Sequence, residues 1–218
     1  MVLKDFHMKP SPEISDAAKS FIEALRTRPT ASTYSRNSFD FAHDVLYLNK
    51  SNDVSFSGFQ TRDDIFASVL SEFGPKPIRI CQVGAIETFV YDWRIGSGWS
   101  DLIFGEHIKQ YGGELTIIDT NLDNLANSVL AATKLQYDIN AVYGNAIDHI
   151  DNTYDVYYLD GSNDPQETLD QFNKVKDTDS IVLIDDYFIK GSLIEAENYD
   201  IITHKIFNGV GVIDFRAP

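Results

Sequence analysis

Residues 78–119 read IRICQVGAIETFVYDWRIGSGWSDLIFGEHIKQYGGELTIID, and this stretch decides the fold. An apolar run from Ile78 predicts a β-strand that ends at Gly84. A turn-rich Gly-Ser-Gly run at residues 96–98 follows, then a helix-like segment and a second apolar strand that ends at Asp119. A strand, a glycine loop, a helix and a strand with an acidic tip predict the opening unit of an open α/β sheet.

The same pattern is typical of nucleotide binding in such sheets. Glycines let the backbone approach a ligand, and the free N–H groups at a helix start hold its polar parts. Asp119 is predicted to accept hydrogen bonds from ribose hydroxyls. The stretch therefore predicts a site for a cofactor that contains adenosine.

Composition narrows the class of protein. A chain of 218 residues suits one domain with a terminal extension. Its 33 acidic and 18 basic residues give a formal net charge of −15, which disfavours nucleic acid as a partner. The single cysteine, Cys81, excludes an intrachain disulfide and fits a reducing compartment. No apolar run reaches the roughly 20 residues that span a bilayer, and no signal-peptide core is seen, so we expect a cytoplasmic protein that binds no membrane.

The N-terminal region, residues 1–75, is predicted to form a helical cap. One helix begins near Pro12, and a capping-box-like pattern at residues 61–64 opens a second helix that runs through Leu70. A cap of this kind helps to shape a substrate pocket or only packs on the main fold, and the sequence leaves both open. The main domain is predicted to span residues 76–218.

From Pro77 onward, strand-like and helix-like segments alternate with short connections. This order predicts a doubly wound, mostly parallel sheet of seven strands with helices on both faces. Asp164 and Pro165 mark the start of one of these helices. An Asn-Gly pair at residues 208–209 lies between two apolar runs near the end of the chain, and it predicts a terminal antiparallel hairpin.

Two further segments, YDVYYLDGS at residues 154–162 and IVLIDDY at residues 181–187, carry a resemblance to a known superfamily. With the glycine loop, Asp119 and the hairpin, they resemble the class I S-adenosylmethionine-dependent methyltransferases. Within that superfamily the chain looks most like the small-molecule O-methyltransferases of the metal-dependent, macrolide-sugar type. The resemblance covers residues 77–216. It implies a Rossmann-like methyltransferase fold, S-adenosylmethionine as cofactor and O-methylation of a small hydroxylated molecule, such as a sugar or a natural-product intermediate.

The resemblance also implies roles for individual residues near the strand ends. The cofactor would be bound by Gly84, Glu87, Gly96, Ser97, Gly98, Trp99, Asp119, Thr120, Asn145, Ala146 and Asp160. The candidate catalytic residues are Asp160, Asp185, Tyr187, Lys190 and His149. Asp160, Asp185 and Asp186 would hold Mg²⁺, which lowers the pKa of a bound hydroxyl. Aspartates at strand ends also cap helices, so a site without metal stays open.

Two features depart from the family pattern. Residues 85–95 separate Gly84 from the Gly-Ser-Gly run, and Gln82 stands where many members have an acid at the end of the first strand. Two other functions therefore stay open: a binding or regulatory protein that keeps the fold without catalysis, and a metal-dependent enzyme of another class that uses the aspartate cluster. The resembled group also suggests a homodimer.

Overall fold

The computed structural model describes residues 54–56, 62–87, 100–195, 198–203 and 209–216. These residues form strands and helices that alternate along most of the chain. In chain order the elements are β1 Val54–Phe56, α1 Arg62–Phe73, β2 Ile78–Val83, α2 Ser100–Tyr111, β3 Gly113–Asp119, α3 Leu122–Leu135, β4 Asn140–Tyr143, α4 Ala146–His149, β5 Val156–Leu159, α5 Pro165–Val175, β6 Ile181–Ile184, α6 Tyr187–Lys190, β7 Ile201–Thr203 and β8 Gly211–Asp214.

All eight of these strands join one sheet in the order β1-β7-β8-β6-β5-β2-β3-β4. β8 runs antiparallel to β6 and β7, and the other neighbouring strands are parallel. The predicted mostly parallel sheet with an antiparallel pair at its end is therefore confirmed. The predicted number of seven strands is wrong for the described residues, because β1 adds an edge strand in which Val54 pairs with Ile201. Most of the connection between β7 and β8, including Asn208, lies outside the described residues.

Helices cover both faces of the sheet, as predicted. Side chains of α1, α2 and α3 share one apolar core with Val156 and Tyr158 of β5. Side chains of α4, α5 and α6 share the other core with Tyr157 and Leu159 of the same strand. This alternation follows from the two-residue period of a strand, and it explains why β5 is apolar throughout.

Local sequence signals fix where the described helices begin. Asp164 accepts a hydrogen bond from Gln166 N–H at 2.9 Å, and Pro165 occupies the first position of α5, as predicted. Asn121 caps α3 in the same way, through Asp123 N–H at 2.9 Å. No helix in the described ranges combines the length and the apolar character needed to cross a membrane.

The described part of the predicted N-terminal cap packs directly on the sheet. Ile65 and Phe66 of α1 lie in the first core, and the Phe66 ring centroid is 5.3 Å from that of Phe104 and 5.2 Å from that of Tyr158. Aromatic pairs at these distances stabilise packing beyond the area they bury. Apart from residues 54–56 and 62–75, the predicted cap lies outside the described residues, and its boundary at residue 75 stays a prediction.

The strand order changes direction between β2 and β5. From β2 the chain moves outward through β3 to β4, and it then returns to the other side of β2 to continue with β5 and β6. In open α/β sheets, ligands bind in the crevice outside the carboxyl ends of strands at such a switch point. Gly84 directly follows β2 there with φ 94°, and a Cβ at this position would lie 2.2 Å from the carbonyl oxygen of Asp160. Only glycine fits at position 84, where the exits of β2 and β5 pass close to each other.

We expect Gly84→Ala to lower the free energy of unfolding by about 2 kcal/mol or more, because positive φ and a clash with backbone atoms act together. The measurement is urea denaturation followed by circular dichroism. Gly74→Ala is the matched control, since Gly74 has φ 63° but nothing within 4 Å of a built Cβ. Equal losses in the two variants would contradict the role given to the close passage of β2 and β5.

Candidate functional site

The carboxyl ends of β4, β3, β2, β5 and β6 form a row along one edge of the sheet. Backbone hydrogen bonds of 2.9–3.1 Å continue between the residues just beyond the strands. The donors and acceptors are Gly144 N to Asp119 O, Gly84 N to Ile118 O, Asp160 N to Val83 O and Asp185 N to Leu159 O. The structure thus brings Asp119, Gly84, Asp160 and Asp185, four of the predicted site residues, to one edge.

Asp119 ends β3 and is half-buried. Its Oδ2 accepts hydrogen bonds from Ala85 N–H at 2.9 Å and from the Asn124 side-chain amide at 3.2 Å. Its Oδ1 accepts from Asn121 N–H at 2.7 Å. A carboxylate offers about four acceptor positions, so these three donors leave one position on Oδ1. Asp119 therefore fixes the exit of β2 and still presents an acceptor at the edge.

The other predicted cofactor residues are placed less uniformly. Asn145 lies just beyond β4 and uses its side-chain oxygen to cap α4 through Ile147 N–H at 3.0 Å. Ala146 is buried beside it, whereas Thr120 and Glu87 are exposed. The Gly-Ser-Gly run and Trp99, predicted as Gly96, Ser97, Gly98 and Trp99, lie outside the described residues.

A buried polar network behind Gly84 was missed by the sequence analysis. Gln82 Nε2 donates to Gly84 O at 2.8 Å and to Asp101 Oδ1, and Ser128 Oγ donates to the other Asp101 oxygen. Ser128 Oγ in turn accepts Ile86 N–H at 3.0 Å. The network therefore links the exit of β2 to the first turn of α2 and to the middle of α3.

Asp101 is fully buried, and burial raises the pKa of its carboxyl from 3.8 to about 7. The hydrogen bonds from Ser128 and Gln82 act in the opposite direction, and the charge of Asp119 adds to the rise. An aspartate in the first turn of a helix is common because it interacts favourably with the helix dipole. The sequence position of Asp101 therefore does not indicate a buried polar network. Two polar residues at apolar positions, Gln82 in β2 and Ser128 on the buried face of α3, were the available signal.

Lys190 ends α6, and its buried ammonium forms a salt bridge with Asp160 Oδ1. Lys190 Nζ also lies 3.9 Å from Asp186 Oδ2, while the Tyr158 hydroxyl donates to Asp160 Oδ2 at 3.2 Å. Burial alone lowers the pKa of Lys190, but the negative charges of Asp160 and of the acid pair at 185–186 outweigh it and raise this pKa. These charges therefore favour the protonated form of Lys190.

The turn after β6 places Lys190 in this position. Asp186 adopts the left-handed conformation, with φ 44° and ψ 45°, and its carbonyl accepts the N–H groups of Ile189 and Lys190 at 2.8 and 2.9 Å. Lys190 thus follows Asp186 by one helical turn, and its side chain reaches back toward the acids. A non-glycine residue held in this conformation is strained and is fixed by its surroundings.

The structure gives no support to the predicted magnesium site. Within the described ranges, no group of three or more His, Cys, Asp or Glu side chains is arranged to hold a metal ion. Mg²⁺ requires oxygen ligands at roughly 2.0–2.1 Å in octahedral geometry. Asp160 instead directs one carboxylate oxygen at the Lys190 ammonium, which supplies positive charge to the same cluster.

Two of the predicted catalytic residues, Tyr187 and His149, pack against glycines near the strand ends. The Tyr187 ring is buried between Gly191 and Gly211, either of which would meet the ring if it carried a Cβ, and burial raises the pKa of its hydroxyl. His149 lies against Gly144 at the end of β4. Three strand spacings, roughly 14 Å, separate β4 from β5, so His149 is not placed to act with Asp160. Tyr187 is a packing residue in this structure.

No protein-family model and no curated protein matches the chain. Several solved structures match the chain. The SAH-bound methyltransferase PaMTH1 of Podospora anserina matches with a TM-score of 0.52 and 14% identity over 94% of this chain and 98% of that chain. The similarity shows that this chain has the class I methyltransferase fold.

Two other solved structures match with lower TM-scores. A SAM-dependent methyltransferase from Geobacter sulfurreducens in complex with S-adenosyl-L-homocysteine has a TM-score of 0.40 and 13% identity, over 68% of this chain and 55% of that chain. Cofactor-bound Rv0187 from MTB has a TM-score of 0.49 and 8% identity, over 94% of this chain and 100% of that chain. Scores below 0.5 add nothing to the assignment of the fold.

We expect Asp101→Asn to change how stability depends on pH. Because folding raises the pKa of Asp101 from 3.8 to about 7, its contribution to stability is complete below pH 3.8 and is lost as the pH rises to about 7. The free energy of unfolding of the wild type minus that of the variant should therefore fall by roughly 2–4 kcal/mol across this range. Urea denaturation at a series of pH values measures it.

Asp138→Asn is the control, since Asp138 is exposed and the substitution removes the same charge. The difference between wild type and this control should stay nearly constant with pH. A pH-independent difference for Asp101→Asn as well would show that this carboxyl is not the proton-binding group.

Proposed function

We propose that this protein is an S-adenosylmethionine-dependent methyltransferase that methylates a hydroxyl group of a small molecule, such as a sugar or a natural-product intermediate. The observation that carries the proposal is the row at the switch point of a class I methyltransferase fold, where Asp119, Gly84 and Asp160 end three adjacent strands. A nucleoside cofactor binds at such switch points. Because a fold alone does not assign an activity, the proposal rests on these residues.

The donor half of the site lies between β2 and β4. Asp119 Oδ1 would accept a hydrogen bond from a ribose hydroxyl, and residues 145–146 would lie beside the adenine. Gly84 lets the exits of β2 and β5 pass close together, and the rest of the cofactor would lie above this close passage. The cofactor supplies an electrophilic methyl group on a positively charged sulfur. The task left to the protein is to align that methyl group with an acceptor oxygen.

The acceptor half lies on the other side of Gly84, where Asp160 and Asp186 end the row. Their carboxylates would accept hydrogen bonds from acceptor hydroxyls and so orient an oxygen lone pair toward the methyl group. The cluster contains three carboxylates and one ammonium, and the whole chain has a net charge of −15. Neutral or cationic acceptors are therefore favoured over phosphorylated or carboxylated ones.

Magnesium has no part in this proposal because Asp160 already pairs with Lys190. The same pairing disfavours a metal-dependent enzyme of another class. The small-molecule acceptor, the homodimer and the cytoplasmic location stay predictions from the sequence. A binding or regulatory protein that keeps the fold without catalysis is the second candidate, since three internal donors already give Asp119 a structural role.

We expect the wild-type protein to bind S-adenosylmethionine and S-adenosylhomocysteine, and Asp119→Asn to weaken both about 10- to 100-fold, since hydrogen bonds to a charged group contribute about 1.5–3 kcal/mol. Isothermal titration calorimetry measures the dissociation constants. Asp138→Asn is the matched control, because it removes the same charge from an exposed site and should leave both constants unchanged.

Absence of saturable heat with both ligands at roughly millimolar concentration, the upper end of usual KM values, would overturn the proposal. Binding without methyl transfer to any of a panel of hydroxylated acceptors would favour the binding protein. Equal weakening in the two aspartate variants would remove Asp119 from the site.

A further inference from the structure

The Lys190 ammonium lies inside the acid cluster from which the sequence predicted a metal site. It forms a salt bridge with Asp160 and lies 3.9 Å from Asp186 Oδ2, and the charge of Asp185 acts on it as well. Its side chain is only 4% exposed. The carboxylates that resemble metal ligands in the sequence therefore meet a cation that belongs to the chain itself.

We propose that the Lys190 ammonium takes the place of a divalent cation at the acceptor end of the crevice, so that the acid cluster functions without a metal. Lys190 acts there as a positioning residue, because it holds Asp160 in place. The role toward an acceptor rests on the proposed function, whereas the exclusion of divalent ions depends only on the geometry of the cluster.

A divalent ion and Lys190 compete for the same carboxylate oxygen. Asp160 Oδ1 accepts from the ammonium, and Oδ2 accepts from the Tyr158 hydroxyl, so both oxygens already have protein donors. A metal that coordinated Asp160 would lie beside the Lys190 ammonium, unless it displaced it, and would be repelled by its charge at short range. Displacement is disfavoured because the Lys190 ammonium is buried and would be left without its carboxylate partner.

The local backbone holds the ammonium in place. Lys190 N–H bonds to the Asp186 carbonyl at 2.9 Å, and Gly191 N–H bonds to the Tyr187 carbonyl at 2.8 Å. The Tyr187 ring packs against Gly191 and Gly211, which anchors α6 to β8. The Lys190 side chain therefore starts from a fixed position one turn beyond the acid pair, and its ammonium stays at the carboxylates.

Titration of the full-length protein with Mn²⁺, followed by electron paramagnetic resonance of the free ion, tests the proposal. The wild type should show no saturable binding at Asp160. Lys190→Met removes the charge and keeps a side chain of similar length, so it should bind Mn²⁺ at least about tenfold more tightly than the wild type. Asp160→Asn in the Lys190→Met background should abolish the gain. Lys190→Arg is the matched control, because it keeps the charge and should bind no better than the wild type.

Stoichiometric Mn²⁺ binding by the wild type that Asp160→Asn removes would overturn the proposal. A folded Lys190→Met protein with no gain in Mn²⁺ affinity would overturn it too, and circular dichroism establishes folding. If the variants do not fold, the titrations of wild type and Asp160→Asn decide alone. These measurements need no methyl donor or acceptor, so failure of the methyltransferase proposal and failure of this one are separate outcomes.

Discussion

The close passage of β2 and β5 at Gly84 and Asp160 is the constraint on which the rest of the site depends. A Cβ on residue 84 would overlap the Asp160 carbonyl, so the two strand exits lie as near to each other as backbones can. Beyond this contact the chain leaves β2 toward one face and β5 toward the other, which opens a crevice between them. Asp119 and Asp160 lie on the two sides of Gly84, one strand away in each direction. The separation of the proposed donor and acceptor halves would thus follow from strand order.

The exit of β2 is held by polar groups that would be costly to bury singly. A buried amide or carboxyl without partners costs a few kcal/mol, and hydrogen bonds among Gln82, Asp101, Ser128 and the loop backbone offset part of this cost. Within the described part of the chain, Gln82 Oε1 is buried without a hydrogen-bond partner. Position 82 is a glutamine and not an acid. The buried carboxyl at this point of the fold belongs to Asp101 in the next element, α2. Burial raises the pKa of Asp101 by more than the hydrogen bonds from Ser128 and Gln82 lower it. Perturbed pKa values of this kind are common beside functional sites.

The sheet could be predicted from sequence because its signals are local: apolar strands with a two-residue period, a proline-marked helix start and short connections. The extra edge strand could not, because Val54–Phe56 is too short to show a period and pairs with residues almost 150 positions later. The acids at the strand ends could also be predicted from sequence, because they directly follow the apolar strand patterns. Their partners were not, since Lys190 approaches Asp160 only through the left-handed turn at Asp186, and Asp101 meets Gln82 only when α2 packs on β2.

A tethered lysine and a bound metal ion compensate acids in physically different ways. Two unit charges about 4 Å apart attract by roughly 4 kcal/mol at an effective dielectric constant near 20, and a dication attracts about twice as strongly. A dication must also lose water and find near-ideal ligand geometry, whereas Lys190 is already positioned by α6 and loses no translational freedom. The weaker charge leaves more negative potential on the carboxylates, so they remain good acceptors for hydroxyl donors. In such a site, acceptor binding depends on the conformation of the turn at Asp186 and on the packing of Tyr187 that supports it.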